Sequence, residues 1–454
     1  MSFVNSSRVY FVTKKQFLLQ RLTEFVFYKY NFYTDELVIY PDSANIIQGM
    51  KRLQAYKYEL MPNGDQVRAM RRFSGSCRFV YNKALALQKE NHEAGNKFIS
   101  YVAMAAKLPV WKREAGTEWL KETPSQALQH ALKDLEKAFK GFFEKRSGFP
   151  RFKKKGSGDS FRYPEPKQIQ LDQSNNRILL PKLGWLRYRN SRKAMGQVRN
   201  VTVSQLGGKW FISIQTQREL EQPLPTSTTA IGIDVGIARF ATLSNGRYIA
   251  PLNSFKTHQQ RLARYQRSMS RKQKFSNNWK KAKTKVQKLH TAIANARKDF
   301  LHKTSTTISQ NHALVCIEDL QVKNMSRSAK GNRERHGKRV KQKSGLNRVI
   351  LDQGWGEFRR QLDYKVHWNG GMLLAVPPQH TSQTCPACGN VSKENRQTQE
   401  KFLCIDCGYE NHADVVGAIN ILERGYRLLA RGESVQSDRS MKQEPTEVTQ
   451  AAFA

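Results

Sequence analysis

A chain of 454 residues is too long for one compact core and predicts two or three domains. Its 77 Lys and Arg against 37 Asp and Glu give a formal charge of +40, a self-repulsion that a polyanion would offset through phosphate contacts. Four of the six cysteines share one short segment, which argues against a secreted disulfide framework, and no apolar run approaches the ~18 residues of a membrane helix. A soluble, cytoplasmic chain without membrane contact is expected; a ribosomal-type basic protein is the bland alternative.

Residues 1–49 are rich in Phe and Tyr but carry no clean helical or strand period. The register changes at Met50, and an atypical leader before a working start at Met50 is the expectation. Leu53 to Leu60 reads as a strand ended by Pro62-Asn63-Gly64. Asp65 is expected to cap a helix with Val67, Met70, Ser74, Cys77, Tyr81 and Leu85 at three-to-four spacing. A second helix is expected from about Ser125, with Leu128, Ala131, Leu132, Leu135, Phe139 and Phe142 on one face. A basic turn, Phe149-Pro-Arg-Phe-Lys-Lys-Lys155, follows. From Phe161 to Ile214 the pattern is one of short strands, consistent with a small antiparallel barrel or sheet with basic edges. Its aromatics suit core packing more than base stacking.

Residues 222–229 read as a linker, followed by strands at Ala230–Val235 and Arg239–Leu243. Positions 251–310 then hold 15 Lys and Arg and one acid, Asp299. Within them Trp279, Ala282, Val286, Leu289, Ile293, Ala296 and Phe300 mark the buried seam of a helix pair, leaving the charge for phosphates. A solvated face is the ordinary reading of a charge run. Residues 323–343 hold nine basic residues and one acid, and a loop ordered only by a partner is expected there. A helix around Trp355–Lys365, a strand at Gly371–Val376 and a polar tail after about Arg424 complete the chain.

The sharpest local signal is Cys385-Pro-Ala-Cys388 with Cys404-Ile-Asp-Cys407, separated by 15 residues. That spacing fits a zinc ribbon whose four thiolates close a tetrahedral site, so its Zn²⁺ is structural. Two unrelated redox pairs are the alternative. Cys77 and Cys316 read as small buried hydrophobes.

Three acids form a dispersed second set. Asp234 lies in the strand Ile231-Gly-Ile-Asp-Val-Gly236, Glu318 closes Ala313-Leu-Val-Cys-Ile-Glu318, and Asp414 opens a helix just past the last knuckle. Two carboxylates about 4 Å apart repel by about 4 kcal/mol at an effective dielectric of about 20, which a shared Mg²⁺ removes. A pair of such ions can clamp a phosphodiester displacement. Singly, each acid also fits a strand end, an ion-pair partner or a helix N-terminal acid. Gly-Ile-Asp-Val-Gly is similar as well to the phosphate loop of actin-like sugar kinases, a reading that leaves the charge unexplained.

These residues resemble the TnpB family, RNA-guided endonucleases of insertion-sequence transposons related to type V CRISPR effectors. The likeness runs in order through Tyr56–Leu60, Cys77–Asn82, Phe149–Lys153, Gly232–Gly236, Asn278–Ala282, Arg297–Lys303, Ile317–Leu320, Gln353–Gly356, the cysteine ribbon and Ala413–Leu422. It implies a multidomain α+β chain with an RNase H-like (RuvC-type) α/β nuclease domain, an inserted zinc ribbon, a small β-barrel wedge domain and a helical recognition lobe. The implied layout is a wedge at 50–64 and 146–221, a recognition lobe at 65–145, and a linker and nuclease domain at 222–380 with a basic hairpin at 255–310. The ribbon would occupy 381–411, the last nuclease helix 412–424 and a disordered tail 425–454. The resemblance assigns Asp234, Glu318 and Asp414 as catalytic ligands of Mg²⁺, two ions in all, beside one Zn²⁺ on Cys385, Cys388, Cys404 and Cys407. It implies a transposon-derived guide RNA and target double-stranded DNA as partners, and a nucleoid-associated location. A strand-transferring transposase and a non-cleaving RNA-guided regulator are the alternatives. Two positions depart from the family pattern: Ala413 and Val416 stand where many members carry Arg and Asn.

Overall fold

The computed structural model describes strands at 26–31 and 36–41 and then residues 50–431, apart from positions 157, 222, 224, 226 and 333. Most of the leader expected at 1–49 therefore lies outside the described residues. Within it, β1 (Val26–Asn31) and β2 (Glu36–Pro41) pair antiparallel. Aromatic and aliphatic residues at successive positions hide the period of two that would have announced these strands.

The chain divides into two compact units, Gly49–Leu220 with Tyr265–Thr291, and Met1–Gln48 with Glu221–Arg264 and Ala292–Ala454. The first contains, in chain order, β3 (Met50–Met61), α1 (Gly64–Glu93), α2 (Tyr101–Ala106), α3 (Leu108–Trp111), α4 (Ser125–Phe143), β4 (Ser160–Tyr163), β5 (Gln170–Asp172), β6 (Arg177–Leu180), β7 (Gly184–Tyr188), β8 (Gln197–Leu206) and β9 (Lys209–Leu220). Its strands form one antiparallel sheet in the order β4-β8-β9-β3-β7-β6-β5. The twelve-residue β3 holds it together, pairing with β9 through Glu59 and with β7 at Leu60 and Met61. Helix α1 begins two residues earlier than the sequence reading expects, at Gly64. Asn63 is the cap, its side chain accepting from the Gln66 amide while the Gln66 side chain accepts from the Asn63 amide. Asp65 sits in the first turn, paired with Arg68. The apolar face of α1 (Met70, Phe73, Cys77, Val80, Tyr81) joins the α4 face (Leu128, Leu132, Leu135, Phe139) in a single core with the sheet residues Tyr58, Ile178, Val201 and Ile212. Burial pushes the Cys77 thiol up to about 12, so it is inert, as a packed small hydrophobe should be.

The second unit carries β10 (Ala230–Asp234), β11 (Ala241–Leu243), β12 (Tyr248–Ile249), the start of α5 (Ser254–Ser270), the end of α6 (Asn277–Asn311), β13 (Leu314–Glu318), α7 (Val322–Met325), α8 (Val340–Gln353), α9 (Trp355–Trp368), β14 (Met372–Val376), β15 (Lys401–Leu403), β16 (Glu410–His412) and α10 (Ala413–Arg431). Five strands form a mixed sheet ordered β12-β11-β10-β13-β14. The first three run antiparallel to one another, whereas β13 and β14 lie parallel to β10. Parallel neighbours need long crossovers, and α5 and α6, then α7 to α9, supply them. β15 and β16 form a separate hairpin.

Three expectations need correction. The α6 seam is buried at Ala282, Val286, Leu289 and Ile293, but Ala296 is exposed. Residues 323–343 are not wholly loop: the end of α7, a bridge between Gly331 and His336, and the start of α8 lie within them. The last helix does not stop at 424 but continues to Arg431, because Tyr426, Leu428 and Leu429 extend its apolar face onto Leu314, Cys316 and Leu374. Residues 432–454 of the expected tail lie outside the described residues. No helix among those described is long and apolar enough to cross a membrane.

Candidate active site and metal centre

Strand register alone brings two of the acids together. Ile233 of β10 pairs with Ile317 of β13 in parallel, so Asp234 and Glu318 follow as neighbours on strands about 4.8 Å apart. Both sit at the carboxyl ends of their strands, the edge where open α/β sheets take ligands. Helix α10 then packs across β10. A Cβ on Gly232 would lie 2.1 Å from the Ala418 carbonyl oxygen, and one on Gly417 would lie 2.9 Å from Asp234 Oδ2. Glycine at both positions is what lets the helix approach this closely. Asp414, in the first turn of α10, is carried to the same place.

The electrostatics record the convergence. Burial pushes the Asp234 carboxyl up to about 8, helped by the charges of Glu318 and Asp414 and opposed by Arg396. Burial also raises Glu318, against a hydrogen bond from Thr381 and the charge of Arg424. Arg396 Nη2 lies 3.4 Å from Asp414 Oδ1. Two carboxyls costly to ionise, with a third acid beside them, make a hard-oxygen donor set suited to a divalent cation such as Mg²⁺. The oxygens of all three acids are not mutually within 4.8 Å. Among the described residues, only the four cysteines form so tight a group.

Those cysteines are Cys385, Cys388, Cys404 and Cys407. Sulfur separations of 3.6 Å for Cys385–Cys407 and for Cys388–Cys404 match the ~3.8 Å expected of thiolates about 2.3 Å from a tetrahedral zinc. The knuckles close as glycine turns: Gly389 and Gly408 have φ of 79° and 71°, and their amides donate back to the Cys385 and Cys404 carbonyls. The residues fit Zn²⁺, and four sulfurs would leave it no open position. Ala413 and Val416, the two departures from the family pattern, are fully buried with Cys385, Phe402 and Cys404 beneath the ribbon.

Sequence reasoning missed Arg396, Thr381 and Asn420. Arg396 and Thr381 stand in no periodic element or ligand-spacing motif; Asn420 lies in the Ala413–Leu422 run, but its carbonyl partners at Thr381 and Thr384 are revealed only by the fold. The free thiol Cys316 is, as expected, buried in the core, with its pKa pushed up to about 12 by burial.

A mixed sheet with acids at its carboxyl edge, joined to a four-cysteine ribbon, defines the class: a multidomain α+β nuclease fold. Three family profiles match the chain, described as a helix-turn-helix domain of the OrfB type (residues 50–97), a probable transposase of the same type (211–329) and a Cas12f1-like TNB domain (355–421). InsQ of Escherichia coli (strain K12), provisionally named an RNA-guided DNA endonuclease, is 59% identical over 88% of this chain and 100% of its own length. A Streptomyces pristinaespiralis protein with the same provisional name is 34% identical over 89% of this chain and 98% of its own. The CRISPR-associated endodeoxyribonuclease Cas12f1 of Sulfoacidibacillus thermotolerans is 25% identical over 47% of this chain and 50% of its own. The chain belongs to the TnpB family.

Proposed function

We propose that the chain is a transposon-encoded, RNA-guided DNA endonuclease whose Asp234, Glu318 and Asp414 hold two Mg²⁺ ions in an RNase H-like, RuvC-type domain. The observation that carries this reading is the convergence of three partly buried acids, with Asp234 held near 8 by burial and by its two acidic neighbours. Sheet order and strand direction favour the RNase H-like assignment. Bound Mg²⁺ supplies Lewis acidity to the scissile phosphate.

The chain's own residues do the rest. Asp234 gives up its proton to become a ligand, and Glu318 and Asp414 flank it with carboxylate oxygens. Arg396 offers a guanidinium at the same edge, a donor suited to a phosphate oxygen. The four ribbon cysteines hold one structural Zn²⁺ and so fix the start of α10 that carries Asp414. Base pairing to a guide RNA supplies sequence choice, and the protein supplies charge, strand separation and the cutting site. The sheet of the first unit and helices α1 and α4 are the proposed wedge and recognition elements. The 15 cations at 251–310 are the proposed backbone-tracking surface.

The test is cleavage of guide-matched plasmid in Mg²⁺ by the protein purified with its co-expressed RNA. Cutting that disappears in Asp234→Ala supports the nuclease. Tight binding without cutting by the natural sequence would mark a regulator, and products joined to element ends would mark a strand-transferring transposase.

A further inference from the structure

Glu318 ends its strand, so β13 fixes its backbone but not its carboxylate. We propose that Thr381 is the residue that positions Glu318, and that helix α10 sets Thr381 in turn, so two of the three acids are aligned from one helix. This rests on the reading of Glu318 as a cation-holding acid.

Thr381 Oγ1 donates to Glu318 Oε1 at 2.5 Å, and the threonine is 4% exposed. A hydroxyl has one hydrogen, and a second acceptor, the Pro378 carbonyl, lies at 3.0 Å. The shorter, charge-assisted bond to the carboxylate is the stronger of the two. One Glu318 oxygen is thereby held, and the carboxylate loses its rotation about the last side-chain bond.

What holds Thr381 is α10. The buried Asn420 side chain spends its amide hydrogens on the Thr381 carbonyl at 2.8 Å and the Thr384 carbonyl at 2.7 Å. One turn later, on the same face, Arg424 Nη1 donates to the Pro377 carbonyl at 2.6 Å and the Gln379 carbonyl at 2.7 Å. Four carbonyls between the end of β14 and the first cysteine are thus bound to the helix that also carries Asp414. His380 adopts a left-handed φ of 61°, which turns the chain within this strap. A bond serving only to hinge the ribbon would need the strap carbonyls but not a buried hydroxyl aimed at an acid. Partners that orient a metal-binding side chain typically change affinity or rate by about 10–100-fold when removed.

The experiment compares Thr381→Val, which keeps the shape and loses the hydroxyl, with Thr381→Ser, which keeps the hydroxyl. Thr381→Ala serves as a second hydroxyl-free variant should the valine disturb folding. Mn²⁺ is titrated into the protein–RNA complex and followed by electron paramagnetic resonance, with the Asp234→Ala complex as the blank; cutting rate against Mg²⁺ and zinc content are measured alongside. Thr381→Val and Thr381→Ala are expected to weaken the Asp234-dependent Mn²⁺ site ~10-fold or more, with cutting partly recovered at high Mg²⁺. Thr381→Ser is expected within about threefold of the natural protein, and every variant is expected to retain one zinc. Wild-type Mn²⁺ binding in both hydroxyl-free variants overturns the proposal, and so does a serine variant that fails together with loss of zinc. If Asp234→Ala and Glu318→Gln themselves leave metal binding and cutting intact, the reading of the acids is what fails, and the proposal falls with it.

Discussion

Gly417 touches Asp234: a methyl group added at the glycine would sit 2.9 Å from the carboxylate oxygen Oδ2. In the interior of a helix alanine is better than glycine by about 0.8–1.0 kcal/mol, so Gly417→Ala should leave α10 intact or firmer. It should nevertheless displace the Asp234 carboxylate, and a misplacement of this kind can cost ~10²-fold in rate. The expected result is a melting profile at or above the natural one with cutting reduced by about two orders of magnitude. Unchanged cutting would show that the carboxylate has slack.

Gly232→Ala should fail differently. Its Cβ would meet the Ala418 carbonyl at 2.1 Å, and backbone cannot swing away as a side chain can. β10 and α10 must part, and forcing extra volume into such packing costs about 1–3 kcal/mol. Urea unfolding read from the second unit should shift to lower midpoint, with cutting lost alongside.

The raised Asp234 carboxyl gives a pH prediction with a definite sign. Unfolded, an aspartate titrates near 3.9; folded and metal-free, this one titrates near 8. The folded state therefore binds the extra proton between those values, and its stability falls as pH rises from about 4 to about 8. Asp234→Asn removes the penalty. Without Mg²⁺, the variant's melting temperature should exceed the natural protein's by a margin that grows up to pH 8, while cutting disappears. In the natural protein Mg²⁺ affinity should rise over the same interval, since binding expels that proton.

Arg396 lowers the proton affinity of Asp234. Replacing it by Gln should move the rise of cutting with pH to higher pH, besides lowering the rate. A profile that keeps its midpoint would separate the guanidinium from the acids.

Zinc removal should act on one segment first. Cys404→Ser should take metal content from one zinc per chain to none. Limited proteolysis should then open 381–412 before the mixed sheet. An unaltered cleavage ladder would count against a structural role for the metal.

Much of this was legible in advance, for identifiable reasons. The cysteine spacing is a local constraint, and the strands ending in Asp234 and Glu318 are short apolar runs, so pattern reading finds both. The α1 cap was misread because Asp65 and Asn63 are both good capping residues. Gln66 decides between them by completing the box with Asn63. The end of α10 is hidden in the sequence because Gly425, Arg427 and Arg431 interrupt its apolar residues, which read as polar tail until Cys316 and Leu374 are seen beneath them. Arg396 and Thr381 act only through neighbours remote in sequence. Nothing short of the fold could reveal them.

The order in which the acids occur along the chain has a consequence for biosynthesis. Asp234 and Glu318 leave the ribosome with the sheet, but the place stays unfinished until the ribbon has been made and α10 folds back over β10. On the proposed reading, a nascent or prematurely terminated chain would carry the basic residues of 251–310 without the third acid. Cutting, on the same reading, would begin only when translation has passed Asp414.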